Sequence, residues 1–97
     1  MTLEDLYKII EDRKEKLPED SYVASLFKKG NDAIIQKIGE EATEVVIAAK
    51  NESKTRVVSE VADLTFHTLV LLAALEIKPE EILEELGIMN NESRKLR

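Results

Sequence analysis

Apolar residues along this chain recur at helical intervals, and nowhere do they alternate with period two for long enough to make a strand. Leu3, Leu6, Tyr7 and Ile10 fall on one side of a helix predicted over residues 3–16, with Thr2 as its N-cap and Asp5 three positions on. The run Leu17-Pro18-Glu19-Asp20-Ser21 breaks that helix. Ser21 then caps a short helix that carries Tyr22, Leu26 and Phe27 and stops at Gly30. A long helix follows over residues 31–50. At about 100° per residue, Ile34, Ile38, Ala42, Val45 and Ala49 share one arc, with Ile35 and Val46 at its edge. Lys37, Glu41 and Glu44 form a polar line beside that arc. Ser53 or Thr55 opens the next helix, predicted over residues 54–76. Its first half has a polar edge of Arg56, Glu60 and Asp63; its second half, residues 64–75, is apolar on every side. Pro79 begins a last helix, with Ile82, Leu83 and Leu86 inward and Gly87 as its stop, and residues 88–97 form a polar tail that frays or adds one more turn.

The expected fold is all-α, an antiparallel bundle of four or five helices in one domain over residues 1–97. A helix that is apolar on every side must be covered on every side. A chain of 97 residues has few helices to do that covering. A second copy is therefore expected to complete the core, most simply as a two-fold homodimer with the third long helix at its interface.

Charge narrows the partners. Acidic residues outnumber basic ones by 20 to 14, for a net charge of −6. Nucleic acids and membrane surfaces are themselves anionic, so neither is expected to bind. A small anion held through a metal remains open. The chain has no Cys, which removes disulfides, thiol catalysis and Cys-ligated zinc or iron–sulfur sites and fits a cytoplasmic setting. The opening Met1-Thr2-Leu3-Glu4-Asp5 is acidic, so no secretory signal is expected. The longest uncharged run, residues 64–75, is too short to cross a bilayer.

Two short patterns carry candidate chemistry: Glu41-Ala42-Thr43-Glu44 and Glu60-Val61-Ala62-Asp63. In each, carboxylates at i and i+3 project from one helix face, about 5–6 Å apart at Cβ. Residues 45–59 leave room for a helix end, a turn and the start of a helix running back, so the two pairs face each other across a groove. Four carboxylates in one groove repel. A hard divalent cation with oxygen ligands relieves this; Mg²⁺ is the usual one in cells, with Mn²⁺ as a substitute. Lys37, Lys50 and Arg56 lie close enough in sequence to meet phosphate oxygens. One acidic pair is expected by chance in a chain with 20 acidic residues. Two pairs on consecutive helices, each bordering the core, divide evenly on pattern alone between metal binding and solvated decoration.

Other residues read more simply. His67 is the lone His, beside an apolar run, and is expected to be a buried, hydrogen-bonded support for the site and not a ligand. Tyr22 and Phe27 are expected in the core or an interface, not as base-stacking platforms, and Met89 in packing. No nucleophile–base pair is visible, and Gly30, Gly39 and Gly87 make no phosphate-cradling loop. Gly39 inside a helix costs about 1 kcal/mol relative to Ala. Its presence points to close approach by a neighbouring chain or a ligand.

Three stretches closely resemble the phosphoribosyl-ATP pyrophosphatase family. They are Ser21-Tyr22-Val23-Ala24-Ser25-Leu26-Phe27, Lys37-Ile38-Gly39-Glu40-Glu41-Ala42-Thr43-Glu44 continuing to Ala49-Lys50-Asn51, and Glu60-Val61-Ala62-Asp63-Leu64-Thr65-Phe66-His67. The acidic pairs alone mark the wider all-α nucleotide pyrophosphohydrolase superfamily, with its MazG-type and dimeric dUTPase-type members; the other motif residues are more specific. The resemblance implies Mg²⁺-dependent hydrolysis of 1-(5-phosphoribosyl)-ATP to 1-(5-phosphoribosyl)-AMP and pyrophosphate, the second step of histidine biosynthesis. It places metal ligation on Glu41, Glu44, Glu60 and Asp63, substrate contacts on Lys37, Lys50 and Asn51, and proton acceptance on Glu40 or Glu41. Asp20 departs from the family, which commonly has Gly before Ser-Tyr. Some relatives are fused to the cyclohydrolase of the next step; 97 Cys-free residues leave no room for it, so a stand-alone enzyme is expected. Two competing readings are a house-cleaning pyrophosphatase for canonical or damaged nucleoside triphosphates and a non-enzymatic helical dimerisation module.

Overall fold

The structure is a computed structural model and describes residues 1–91. It contains α1 (Leu3–Lys16), α2 (Tyr22–Lys29), α3 (Asn31–Lys50), α4 (Lys54–Ala74) and α5 (Pro79–Asn91), and no strand among the described residues. The all-α expectation holds.

Local chemistry sets most of the helix ends. Thr2 Oγ1 accepts from the Asp5 N–H at 3.0 Å, and the Asp5 carboxylate accepts from the Thr2 N–H at 3.0 Å, a reciprocal cap. Ser21 accepts from the Ala24 N–H, and Ser53, not Thr55, caps α4 through the Arg56 N–H. Gly30 lies at φ +98°, where a side chain would be strained, and there the chain turns from α2 into α3. Asp20 is absent from the residues of positive φ, so this loop makes no demand for the glycine usual at that place.

Two ends differ from expectation. Helix α4 stops at Ala74, because Glu76 turns left-handed (φ 58°) and the Ile77 N–H bonds back to the Leu72 carbonyl at 2.9 Å. Helix α5 runs through Gly87 to Asn91; Gly87 has no positive φ and so no stop geometry. Its Ile82, Leu83 and Leu86 are exposed, not inward. This helix is anchored at its start, where the Tyr7 hydroxyl donates to the Ile77 carbonyl at 2.7 Å and Lys78 meets Glu11 at 2.7 Å. The body of α5 leaves Ile82, Leu83 and Leu86 exposed, with no partner covering them among the described residues. The expected tail beyond residue 91 and the packing of Met89 lie outside the described residues.

Helices α3 and α4 form an antiparallel hairpin through a three-residue turn and make the most extensive contact in the fold. Helix α1 packs on α4, and α2 bridges α1 and α3. Their shared core is Tyr7, Ile10, Leu26, Ile34, Leu69, Val70 and Ala73. The buried seam of α3 is Ile34, Glu41 and Ala48, seven residues apart, while Ala49 is exposed. The helix is therefore rotated toward its polar line, which puts Glu41 on the seam and not beside it.

The apolar half of α4 is partly covered within the chain: of residues 64–75, His67, Leu69, Val70 and Ala73 are buried, Leu75 is exposed, and the others are half-buried. Exposed apolar side chains lie elsewhere, on Ile35 and Val46 of α3, on Val58 and Val61 of α4, and along α5. By length and composition α4 is apolar enough to cross a membrane, which the uncharged run alone did not indicate. Here it is the central helix of the bundle, with Arg56, Glu60 and Asp63 in its first half.

Candidate active site

The hairpin brings carboxylates of α3 and α4 together. Glu41, Glu60 and Asp63 each offer an oxygen, and these oxygens lie within 4.8 Å of one another. Glu41 is only 8% exposed, between Ile34 and Ala48 on the seam. A buried carboxylate is costly unless paired. Lys37, one turn earlier, answers with its ammonium 3.2 Å from Glu41 and 3.7 Å from Glu40. The hydrogen bond that the Lys37 ammonium donates to Glu41 outweighs the opposing effect of burial and, with the pull of nearby charges, holds Lys37 above the ordinary lysine range.

Arg56 serves α4 in the same way. Its Nη2 stands 3.9 Å from Glu60 and 4.0 Å from Glu44. Glu44 is thus outside the group of three and joined to it through Arg56. Asp63 is exposed and, among the described residues, makes no ion pair. The remaining sequence candidates separate. Glu40 is exposed and accepts from the Gln36 amide at 2.9 Å. Lys50 and Asn51 sit at the turn end of the hairpin, where the Asn51 amide donates to the Ile47 carbonyl at 3.0 Å as part of the helix cap.

His67 is 4% exposed, with Nδ1 2.8 Å from the Asp63 carbonyl oxygen. A carbonyl only accepts, so Nδ1 carries the proton. Nε2 is then the acceptor for the Tyr22 hydroxyl at 3.0 Å. Both ring nitrogens are engaged within the protein, which makes His67 a support for Asp63 and leaves no nitrogen free to ligate.

A cavity of about 350 Å³ opens beside the carboxylates, lined by Tyr22, Lys29, Gln36, Lys37 and Glu40 among others. Lys37 belongs both to its wall and to the acidic group. A larger cavity, about 530 Å³, lies between α1 and the start of α5. Its lysines are taken up locally: Lys78 by Glu11, and Lys14 by the Ala73 carbonyl at 2.8 Å. That cavity is remote from the hairpin carboxylates and offers no comparable chemistry.

The model for the phosphoribosyl-ATP pyrophosphohydrolase family matches residues 3–90. The chain belongs to this family. A phosphoribosyl-ATP pyrophosphatase of Geobacter sulfurreducens is 55% identical over 84 residues, covering 87% of this chain and 78% of the relative. One from Pelotomaculum thermopropionicum is 54% identical over 85 residues, covering 88% and 87%. One from Geotalea daltonii is 50% identical over 99 residues, covering 95% and 93%. The phosphoribosyl-ATP pyrophosphohydrolase match takes in all four hairpin carboxylates together with Lys37 and Arg56. Sequence reasoning missed the burial of Glu41. The signal was present as the heptad spacing Ile34–Glu41–Ala48, hidden because the apolar arc was drawn from apolar residues alone.

Proposed function

We infer that this chain is a phosphoribosyl-ATP pyrophosphohydrolase. Water breaks the α–β anhydride of 1-(5-phosphoribosyl)-ATP and yields 1-(5-phosphoribosyl)-AMP and pyrophosphate, the second step of histidine biosynthesis. The observation that carries this reading is the coincidence of the family match over residues 3–90 with three converging carboxylates on the matched hairpin.

We further propose that Glu41, Glu60 and Asp63, with Glu44 as a fourth, hold Mg²⁺ or Mn²⁺. Oxygen ligands about an octahedral Mg²⁺ stand about 3–4 Å apart. The spread of the three carboxylates, up to 4.8 Å, is within a side-chain rotation of that. An all-carboxylate donor set suits a hard cation and not a soft one. When bound, the cation neutralises phosphate charge and lowers the pKa of water. Lys37 and Arg56, already between the carboxylates, meet phosphate oxygens and orient the chain for cleavage. Glu40 stands outside the ligand group with Lys37 beside it, and accepts the proton of the attacking water. Glu41, as a ligand paired with Lys37, is less available as a base than Glu40. A binding role for Lys50 and Asn51 requires the substrate to extend along the hairpin to its turn.

The working unit proposed here is a homodimer in the cytoplasm. Ile35, Gly39 and Val46 make an exposed stripe on α3, flanked by Val58 and Val61 of α4. A Cβ at Gly39 would meet no atom within 4 Å among the described residues, so none of them calls for glycine there. Close approach of a second copy does.

A substrate panel tests the activity. Phosphoribosyl-ATP should be cleaved well ahead of ATP and of every deoxynucleoside triphosphate; an inert phosphoribosyl-ATP beside a cleaved deoxynucleotide would move the assignment to house-cleaning. Mg²⁺ should also raise the melting temperature, because it binds the folded group and not the unfolded chain. At a hundredfold excess over its dissociation constant the gain is about 2.7 kcal/mol. Calorimetry with and without Mg²⁺ reads it directly, and an unchanged transition would count against the metal site.

A further inference from the structure

The hydroxyl of Tyr22 is tied down while its ring is not. The hydroxyl donates to His67 Nε2 at 3.0 Å, and His67 is fixed in turn by the Asp63 carbonyl. One side of the ring lies against Phe66, with centroids 6.3 Å apart and planes 24° from parallel; His67 meets it edge-on. Yet the residue is 52% exposed, and it walls the cavity that Lys37 joins to the acidic group. An aromatic ring with a pinned hydroxyl, an offset aromatic neighbour and about half its surface open is a rigid apolar shelf at low entropic cost. A cavity of about 350 Å³ accommodates a heterocyclic base but not a whole phosphoribosyl-nucleotide.

We propose that Tyr22 is the base-stacking residue of the site: the purine of the substrate lies on its open face while the phosphates reach past Lys37 to the carboxylates. This rests on the pyrophosphohydrolase reading and adds to it the place of the base. It also reverses the sequence expectation that Tyr22 is only a core or interface residue. Gln36, on the same wall, supplies amide groups for the edge of a heterocycle, and its hydrogen bond to Glu40 links that edge to the proposed proton acceptor. The Tyr22–His67 pair is tied to the α4 backbone at the Asp63 carbonyl, so the shelf is fixed to the same helix turn that carries the Asp63 carboxylate.

The test compares the parent enzyme with Tyr22→Leu and Tyr22→Phe, using phosphoribosyl-ATP as substrate and tripolyphosphate, which has no base, as competitive inhibitor. Loss of one stacked base should raise KM about tenfold or more in Tyr22→Leu, with kcat much less affected. Tyr22→Phe keeps the ring and should recover most of the loss. The tripolyphosphate inhibition constant should be the same in all three, because that ligand uses only the phosphate end. An unchanged KM in Tyr22→Leu overturns the proposal. So does an equal weakening of tripolyphosphate, which would place the effect at the carboxylates, or a fall in mass by light scattering, which would place Tyr22 under a second copy. A parent enzyme that releases no pyrophosphate from phosphoribosyl-ATP would instead sink the underlying reading, and the two failures are told apart by the parent alone.

Discussion

Asp63→Asn should lower pyrophosphate release by at least about a hundredfold, the scale of removing one electrostatic stabiliser from an active site. Without divalent cation the same variant should be as stable as the parent, or more so. The reason lies in the pairing. Glu41 has Lys37 and Glu60 has Arg56, but Asp63 makes no ion pair among the described residues and stands within 4.8 Å of two other carboxylates. Removing its charge relieves repulsion and breaks no ion pair. A solvated acidic face predicts the opposite for activity, which would hardly change. Glu44→Gln sharpens the comparison. Glu44 touches Arg56 and not the group of three, so activity should fall by less, and the Mg²⁺ concentration at half-activation should rise. Urea unfolding and steady-state rates on both variants, with and without Mg²⁺, decide the matter. Full activity in Asp63→Asn would remove that residue from the site.

Gly39→Leu should turn the proposed dimer into a monomer without unfolding it. Among the described residues a Cβ at position 39 meets nothing within 4 Å and the position is exposed, so a longer side chain has solvent to extend into, and replacing a mid-helix glycine favours the helix by up to about 1 kcal/mol. Across a two-fold interface every gain in side-chain volume appears twice, where two helices approach over Ile35 and Val46. Light scattering at micromolar concentration should fall from twice 11.0 kDa to 11.0 kDa, with helical circular dichroism retained. An unchanged dimer would move the interface off this stripe, most plainly to the exposed apolar side of α5.

Where capping and breaking residues mark the chain, the fold was legible in the sequence. Thr2, Ser21, Gly30 and Ser53 fix the starts or stops of α1 through α4 by local hydrogen bonds or backbone geometry, which are written in adjacent residues. What depends on tertiary contact was less legible. The rotation of α3 that buries Glu41 follows from how α4 docks; the heptad Ile34–Glu41–Ala48 is compatible with it, but apolar periodicity alone points to a neighbouring arc. The apolar second half of α4 reads as needing cover on every side; α3 and α1 supply part of it, and periodicity alone does not place α1. In α5, apolar spacing and an internal glycine gave the expectation of an inward face and an early stop. Among the described residues the helix is anchored at its first turn, its apolar residues stay exposed, and Gly87 without a positive φ ends nothing.

The acidic pairs were visible as spacing, but spacing cannot say which members converge. The fold brings Glu41, Glu60 and Asp63 together and leaves Glu44 at Arg56. Lys50 and Asn51, which the motif places with the site, lie at the turn of the hairpin, and the Asn51 amide is spent on the helix cap. Tyr22 was legible as an aromatic but not as an open ring face, because its exposure depends on where α2 crosses α3 and α4.

The central claim is that the hairpin carboxylates run a metal-dependent cleavage of phosphoribosyl-ATP. Its most direct test is the release of pyrophosphate from phosphoribosyl-ATP by the purified chain, first after exhaustive chelation and then on titration with Mg²⁺. The account predicts no release in the chelated sample and a saturable rise with Mg²⁺, with one pyrophosphate formed per phosphoribosyl-AMP. Equal rates with and without the cation, or inorganic phosphate as the product in place of pyrophosphate, would contradict it.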